Sequence, residues 1–420
     1  MIMSKEKKEI YDEAAKVWNP DKVKIFREAG IDIVLGEREG YCFEDIDGKR
    51  LINMHINGGV FNLGHRNPEV KKALIEGAEK YDAGNHYFPS KVKNDLCEAL
   101  LAVSPDYMKY INLNNGGGES IDAAVKFARY ATQRKRVVSV HGGFHGSTGI
   151  AMQAGSPEMS AFFNMTPDPE LYSQVDFDNL EQMEEILKKE DTACVLLESL
   201  PATNGFPIPD DNYLKGVSDL AHKYGALYIA DEVQTGLMRS GDMWCAVGYG
   251  AEPDMIVTGN GLSGGYYPMS AVIMNEKSGA WLKVDGFAHL SSFNSCELGC
   301  VVATKVMEIV SRPSTKENVD MLTEVFRKGL AKIQKKHSKF FIGVRQRGVI
   351  MGLETAHPEG STALMGALYK NGIWAMRANF DQSVLQFKAG LLMDKELAEE
   401  VLRILDISMG EAAHMVGMDE

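Results

Sequence analysis

Long apolar runs are missing: none of the 420 residues falls within a stretch of about 18 apolar residues, so no membrane-spanning helix is expected. The start, MIMSKEKKEIYDEAAKVW, is charged and lacks an apolar signal core, which argues against secretion. Positive charge is also in short supply. With 45 Lys and Arg against 58 Asp and Glu, the net charge is −13 and the pI near 5.4. A surface of that sign repels nucleic acid and anionic membrane, so neither is expected as a partner. The six cysteines show no CxxC spacing, and Cys194 lies in an apolar run where it reads as a small hydrophobe. Reduced thiols and a cytoplasmic location are expected, and no metal. Repeats, low-complexity tracts and long linkers are absent too. What remains is an ordinary soluble composition, 45% hydrophobic and 25% charged, long enough for one large and one or two small domains.

Domains must therefore be read from alternating strand-like and helix-like segments. Within residues 30–66, YCFEDIDGKRLINM has the alternation of two strands about a turn at Asp47-Gly48, and NLGHRNPEV leads into a helix. Between about 90 and 310, helices interleave with the apolar runs RVVSVHGG, ACVLLESLP, ALYIADEV, DMIVTGN and PMSAVIMNE. That rhythm predicts an α/β architecture, a mostly parallel sheet flanked by helices, with ligands bound at the carboxyl ends of the strands. Beyond Ser311-Arg312-Pro313 the spacing predicts a helix over 316–336, strands around GVIMGLE and VLQFKAGLL, and a closing helix from Lys395. The expected divisions are 1–66, an N-terminal segment of a small domain; 67–312, a large α/β domain; and 313–420, a C-terminal α/β domain. The two terminal segments together would build the small α+β domain.

Chemistry gathers at the strand ends. ALYIA runs into Asp231-Glu232-Val233-Gln234-Thr235-Gly236, ACVLL ends in Glu198, and DMIVTG ends in Asn260-Gly261-Leu262-Ser263-Gly264-Gly265. A lone acidic pair after a strand is commonly a solvated loop; three polar strand ends at one edge are a site. Upstream, Asn114-Asn115-Gly116-Gly117-Gly118-Glu119-Ser120 opens a helix whose Ala123, Ala124, Phe127 and Ala128 face inward. Glycines there bring backbone N–H groups close to an anion, and the helix dipole adds about half a positive charge. A phosphate suits that place, although a flexible turn before a helix reads equally well. Phe144-His145-Gly146, after RVVSVHGG, offers an aromatic face for a planar cofactor and an imidazole.

Taken in order, these segments resemble the class III aminotransferases of the ornithine or 4-aminobutyrate type, fold-type-I enzymes that depend on pyridoxal phosphate (PLP). The resemblance covers nearly the whole chain. Gly116-Gly117-Gly118-Glu119 is similar to the family's Ser-Gly-Ser-Glu phosphate loop, Phe144-His145-Gly146 to its aromatic-His-Gly element, and residues 231–236 to its Asp-Glu-Val-Gln-Thr-Gly. LSSFNSCELGC is similar to Ser-Thr-Phe-Gly-Gly-Asn, which places Ser292 at the phosphate of a neighbouring subunit and implies a homodimer. The resemblance implies that Asp231 holds the pyridine nitrogen protonated, Gln234 meets the ring's 3-oxygen, and Val233 and Phe144 press on the two ring faces. It implies that Gly117 and Gly118 N–H groups with Ser292 hold the phosphate, and that Glu198 lies near the reacting imine. Segments 58–61 and 81–90 match the substrate entrance, so Phe61, Tyr87 and Phe88 are candidates for its wall; core packing is the equal alternative.

Three departures stand out. Asn260 occupies the position of the lysine that forms the Schiff base and shuttles a proton, and an amide can do neither. The next lysine, Lys277, lies beyond another predicted strand. Gln386 stands where many relatives carry an arginine for a substrate carboxylate, so the bidentate clamp is missing. Lys388 or Arg377 are candidate replacements, an exposed lysine being the plainer reading of Lys388. Both phosphate-loop serines are also lost. The expected function is transfer of an amino group between an amine or amino acid and a keto acid or aldehyde, impaired by Asn260. The site is expected to hold PLP, its pyridoxamine form or a trapped substrate–PLP external aldimine. An aminomutase or epimerase on the same scaffold, or a non-catalytic binder of the cofactor, are the alternatives.

Overall fold

The computed structural model describes residues 3–418; Met1, Ile2, Asp419 and Glu420, the outer ends of the first and last predicted segments, lie outside the described residues. The N-terminal part forms a meander of β1 (Leu35–Glu39), β2 (Cys42–Asp45) and β3 (Arg50–Asn53), all antiparallel. Its second turn closes where the alternation broke: Gly48 N–H donates to the Asp45 carbonyl at 2.7 Å, with a φ of 85° that favours glycine. Helix Lys5–Val17, capped by the Ser4 hydroxyl, is tied to this sheet by Lys7, whose buried ammonium meets Asp45 at 3.0 Å and Asp32 at 3.1 Å.

The middle of the chain builds a seven-stranded sheet from β4 (Met108–Asn114), β5 (Arg136–Val140), β6 (Tyr172–Val175), β7 (Thr192–Glu198), β8 (Leu227–Asp231), β9 (Met255–Thr258) and β10 (Ser270–Asn275). The order is β4-β10-β9-β8-β7-β5-β6. Every residue of β7 is buried, which is why it reads as one apolar run rather than an alternation. Its odd and even residues serve opposite faces. Val195 and Leu197 join one core with Leu214 and Val217 of helix Tyr213–Lys223; Cys194 and Leu196 join another with Ile121 and Phe127 of helix Gly117–Thr132. The pairs from β6 through β9 are parallel, as expected, but β10 runs antiparallel to both neighbours. Two strands of this sheet escaped the sequence reading: β4, MKYINLN, carries polar residues, and β6 is a four-residue edge.

The last part adds β11 (Phe341–Arg347), β12 (Ile350–Thr355), β13 (Ile373–Trp374), β14 (Met376–Arg377) and β15 (Val384–Lys388), with β11-β12-β15-β14 forming one antiparallel sheet. Strand β13 leaves that sheet and pairs in parallel with β3, so the two terminal regions share a sheet. The preceding helix begins at Pro313 rather than 316; proline suits a first helical position, where its missing N–H would be unpaired anyway. The closing helix starts at Lys395, capped by the Asp394 carboxylate. No described helix is long and apolar enough to cross a membrane.

Candidate active site

Parallel pairing puts the carboxyl ends of neighbouring strands side by side, and here it aligns their last residues. Glu198 of β7 and Asp231 of β8 are register partners. The loop after β5 folds over them. His145 Nδ1 donates to Asp231 Oδ2 at 2.8 Å, Val233 N–H donates to Asp231 Oδ1 at 3.1 Å, and Phe144 N–H donates to Glu198 Oε1 at 2.9 Å. The second Glu198 oxygen accepts from Ala202 N–H at 3.2 Å.

Burial and the neighbouring charges together shift both groups. Burial pulls the His145 imidazole down, but its bond to Asp231 and the charges of Asp231 and Glu198 outweigh this and raise it. For Glu198, burial works in the same direction as the neighbouring Asp231 charge and pushes the carboxyl up to about 7, against the opposing pull of His145 and the two N–H donors. His145 Nε2 and Gln234 Oε1 are buried without partners, two polar atoms that a ligand could satisfy.

Across this floor stands the N-terminus of helix Gly117–Thr132, with no side chain capping it. The backbone comes close to its neighbours at two of the glycines. A Cβ on Gly117 would lie 3.2 Å from Val233 Cγ1, and one on Gly118 would lie 3.0 Å from Thr148 Oγ1. Between helix and floor is a cavity of about 150 Å³ lined by Gly117, Gly118, Phe144, His145, Glu198, Asp231, Val233, Gln234 and Asn260. At Gly117 and Asn260 it adjoins a hollow of about 290 Å³ walled by Gly116, Tyr266 and Tyr267. Asn260, φ 38°, turns its side chain so that Nδ2 donates to the Gly58 carbonyl at 3.0 Å.

Gln386 and Lys388 reach the same neighbourhood from β15. Gln386 Nε2 donates at 2.9 Å to the carbonyl of Ala202, the residue whose N–H meets Glu198, and its Oε1 accepts from Lys388 Nζ at 2.8 Å. The plain reading of Lys388 as an exposed side chain is overturned: it is 1% exposed, because the face of β15 that carries Gln386 and Lys388 is covered by the loop after β7, whose Phe206 ring lies 5.4 Å from Lys388 Nζ. Arg377 lies half-buried on the edge strand β14. Lys277 is exposed beyond β10.

Phe61 stacks on His65 with centroids 3.9 Å apart and faces a separate apolar cavity of about 340 Å³. Tyr87 and Phe88 stand outside the cleft, 60% and 72% exposed, on a loop held by Lys93 Nζ on the Phe88 carbonyl at 2.8 Å. Their packing into the core is therefore ruled out. Ser292 is likewise exposed, outside this chain's cleft. Sequence reasoning missed Arg239. Its guanidinium is 2% exposed and donates from Nη1 to the same Gly58 carbonyl at 2.7 Å. No local signal could have found it, for the contact joins residues 181 apart in the chain.

A sheet of this order with polar strand ends beside a glycine-opened helix is an α/β fold with a cleft at the strand ends, and the comparisons give its class. The profile of the family Aminotransferase class-III matches residues 26–408. The chain is 40% identical over 390 residues to an uncharacterized aminotransferase of Archaeoglobus fulgidus, covering 93% of this chain and 91% of that one. It is 29% identical over 374 residues to an acetylornithine aminotransferase of Methanosarcina mazei, covering 89% and 91%. The fold is that of the Toxoplasma gondii ornithine aminotransferase, whose structure has PLP at partial occupancy in the active site: TM-score 0.84, 23% identity, 96% and 97% of the two chains covered. The chain belongs to the PLP-dependent class III aminotransferase family.

Proposed function

We propose that this protein is an aminotransferase acting between an amine or amino acid and a keto acid or aldehyde, in a form that holds its cofactor without a covalent lysine. The observation that carries the reading is the His145–Asp231 pair on the cleft floor, facing the glycine-opened helix across a cavity whose buried polar atoms lack partners. When bound, PLP supplies an aldehyde that combines with an amine and a protonated ring that draws electrons from the amine carbon. The residues present suit it. The N–H groups of Gly117 and Gly118, after Gly116, hold the phosphate at the helix N-terminus, where the dipole favours an anion. Phe144 and Val233 flank the ring, Asp231 keeps its nitrogen protonated with His145 orienting the carboxylate, and Gln234 meets the 3-oxygen.

Asn260 takes the lysine's place and supplies neither a nucleophile nor a base. Loss of a general base alone costs about 10²–10⁴-fold in rate, so turnover is nearly absent. The proposal includes a homodimer in which the Ser292 hydroxyl of a second copy completes the phosphate site. Exposed Tyr87 and Phe88, with Phe287 whose ring lies 6.3 Å from Tyr87, form an apolar surface suited to cover by that copy.

The test is covalent retention. After loading with PLP, borohydride reduction and desalting, mass spectrometry of the Asn260→Lys protein shows one cofactor adduct at position 260, while the Asn260 protein shows none there. Turnover with a panel of amines and keto acids rises at least a hundredfold in the Asn260→Lys form. If neither form retains PLP, the cleft is not the cofactor site.

A further inference from the structure

The two residues that precede the glycine loop are bound to a distant segment through a single amide. Asn294, 7% exposed, donates from Nδ2 to Asn114 Oδ1 at 2.9 Å and accepts at Oδ1 from Asn115 Nδ2 at 3.0 Å. His289 Nε2 meets the same Asn114 oxygen at 3.3 Å. Burial and the Lys126 charge pull this imidazole down, and Lys126 Nζ donates to its Nδ1 at 3.0 Å, so the neutral ring carries its proton on Nε2 and donates it to Asn114. Residues 290–293 are thus pinned at both ends to one side chain. Between the pins Leu290, Ser292 and Phe293 are exposed, a short finger that projects from the chain.

Asn114 is fully buried and joins three elements at once. Its Nδ2 donates to Asn112 Oδ1 of β4 at 2.8 Å and to Ser120 Oγ of the helix at 3.1 Å, while its Oδ1 holds the finger. Asn115 is fixed too, its N–H and Nδ2 both donating to Glu119 Oε2 at 3.1 and 3.3 Å. Between these anchors lie Gly116, Gly117 and Gly118, with no side chain capping the helix. Glycine loses more backbone freedom on ordering than any other residue, so whatever fixes the flanks of this loop lowers the cost of aiming its N–H groups at an anion. The chain departs from the family's motifs at both ends of this link. The loop lacks both serines, and Asn294 falls on the first glycine of Ser-Thr-Phe-Gly-Gly-Asn.

We propose that Asn294 is a positioning residue that couples the two cofactor sites of a dimer, so that they fill cooperatively. This rests on the proposed function, in which the glycine loop of one subunit and the Ser292 hydroxyl of a second copy hold one phosphate. Each finger is then tied to its own subunit's glycine loop and reaches into the other subunit's site. When one loop is ordered on a phosphate, Asn114 and Asn115 are fixed, Asn294 passes that order to Ser292, and the second site finds its hydroxyl already placed. Conformational entropy lost at the first site is not lost again at the second, which gives positive cooperativity without a change of fold.

Equilibrium dialysis of the cofactor-free protein against pyridoxamine phosphate and against pyridoxamine reads the coupling; neither ligand has an aldehyde, so surface lysines stay unmodified. The parent, a dimer by ultracentrifugation, is expected to bind the phosphate ester at least about tenfold tighter than pyridoxamine. The ester should bind with a Hill coefficient of about 1.4 or more, the value for a fivefold coupling of two sites, and pyridoxamine with a coefficient of about 1. Asn294→Ala, still dimeric, brings the ester's coefficient to about 1 and weakens the ester about tenfold, with pyridoxamine within about twofold; a merely structural loss would weaken both ligands alike. Ser292→Ala cuts the far end of the same link and also removes the cooperativity; exposed as it is, it stays folded even where Asn294→Ala fails to fold. A coefficient of 1 for the ester in a dimeric parent, or unchanged cooperativity in dimeric Ser292→Ala, overturns the coupling and leaves the cofactor site standing. Equal affinity of the parent for the two ligands, or a parent that stays monomeric with the ester bound, refutes the proposed phosphate site itself, and the coupling falls with it.

Discussion

Glu198 makes the stability of this protein depend on pH in a way that one substitution isolates. Its carboxyl is raised from the ordinary 4.5 to about 7, first by burial and then by the Asp231 charge on the adjacent strand. A carboxyl raised on folding binds its proton more tightly in the native state. Below about 4.5 it is protonated in both states and costs nothing. Between 4.5 and 7 stability falls by about 1.4 kcal/mol per pH unit, and above 7 the full penalty of about 3 kcal/mol is present. Glu198→Gln removes that slope. It gives up one of the acceptors for Phe144 N–H and Ala202 N–H, a cost of about 1–3 kcal/mol that does not vary with pH. Urea unfolding of both proteins from pH 4.5 to 8 reads the difference. The variant gains about 3 kcal/mol on the parent across that range. A difference constant within about 0.5 kcal/mol would refute the reasoning, because it would mean that Glu198 is ionised on the same curve folded and unfolded.

Other outcomes follow from single contacts. Gly59→Ala puts a methyl 1.4 Å from Arg239 Nη1 at a φ of 107°; a loss of more than about 3 kcal/mol in urea unfolding is expected, against about 1 kcal/mol for an unhindered helical exchange in the reverse sense. Lys7→Met leaves Asp45, 1% exposed at its side chain, without its cation, and should cost about 3–5 kcal/mol. Hydrogen exchange would show the loss first in helix Lys5–Val17, which that contact ties down. Asp231→Asn removes the carboxylate that accepts from His145 Nδ1 and raises its imidazole, and with it the counter-ion for a protonated ring, and PLP retention after desalting should fall at least tenfold.

The sequence by itself determined which groups arrive at the strand ends. The runs of β7, β8 and β9 are mostly apolar because both faces are covered by helices, and such a run must stop where the chain leaves the sheet, so Glu198 and Asp231 announce themselves as the polar last residues of their strands and Asn260 as the polar group two residues past β9. Glycine did the same for the opening of helix Gly117–Thr132, where the backbone comes close to Val233 at Gly117 and to Thr148 at Gly118. Strands β4 and β6 hid because a polar or four-residue edge has no such contrast, and the reversed direction of β10 leaves no mark on composition. Only the tertiary structure decided how distant groups meet. Lys388 reads as a surface lysine in any window of its own strand; it is buried because the loop after β7, 184 residues away where Gln386 bonds to Ala202, lies over it. Arg239 and Asn260 share the carbonyl of Gly58 across 181 and 202 residues. Local periodicity encodes which face of a strand or helix is covered, whereas the charge a residue keeps and the partner it lacks are set by what other segments bring, or fail to bring, within reach.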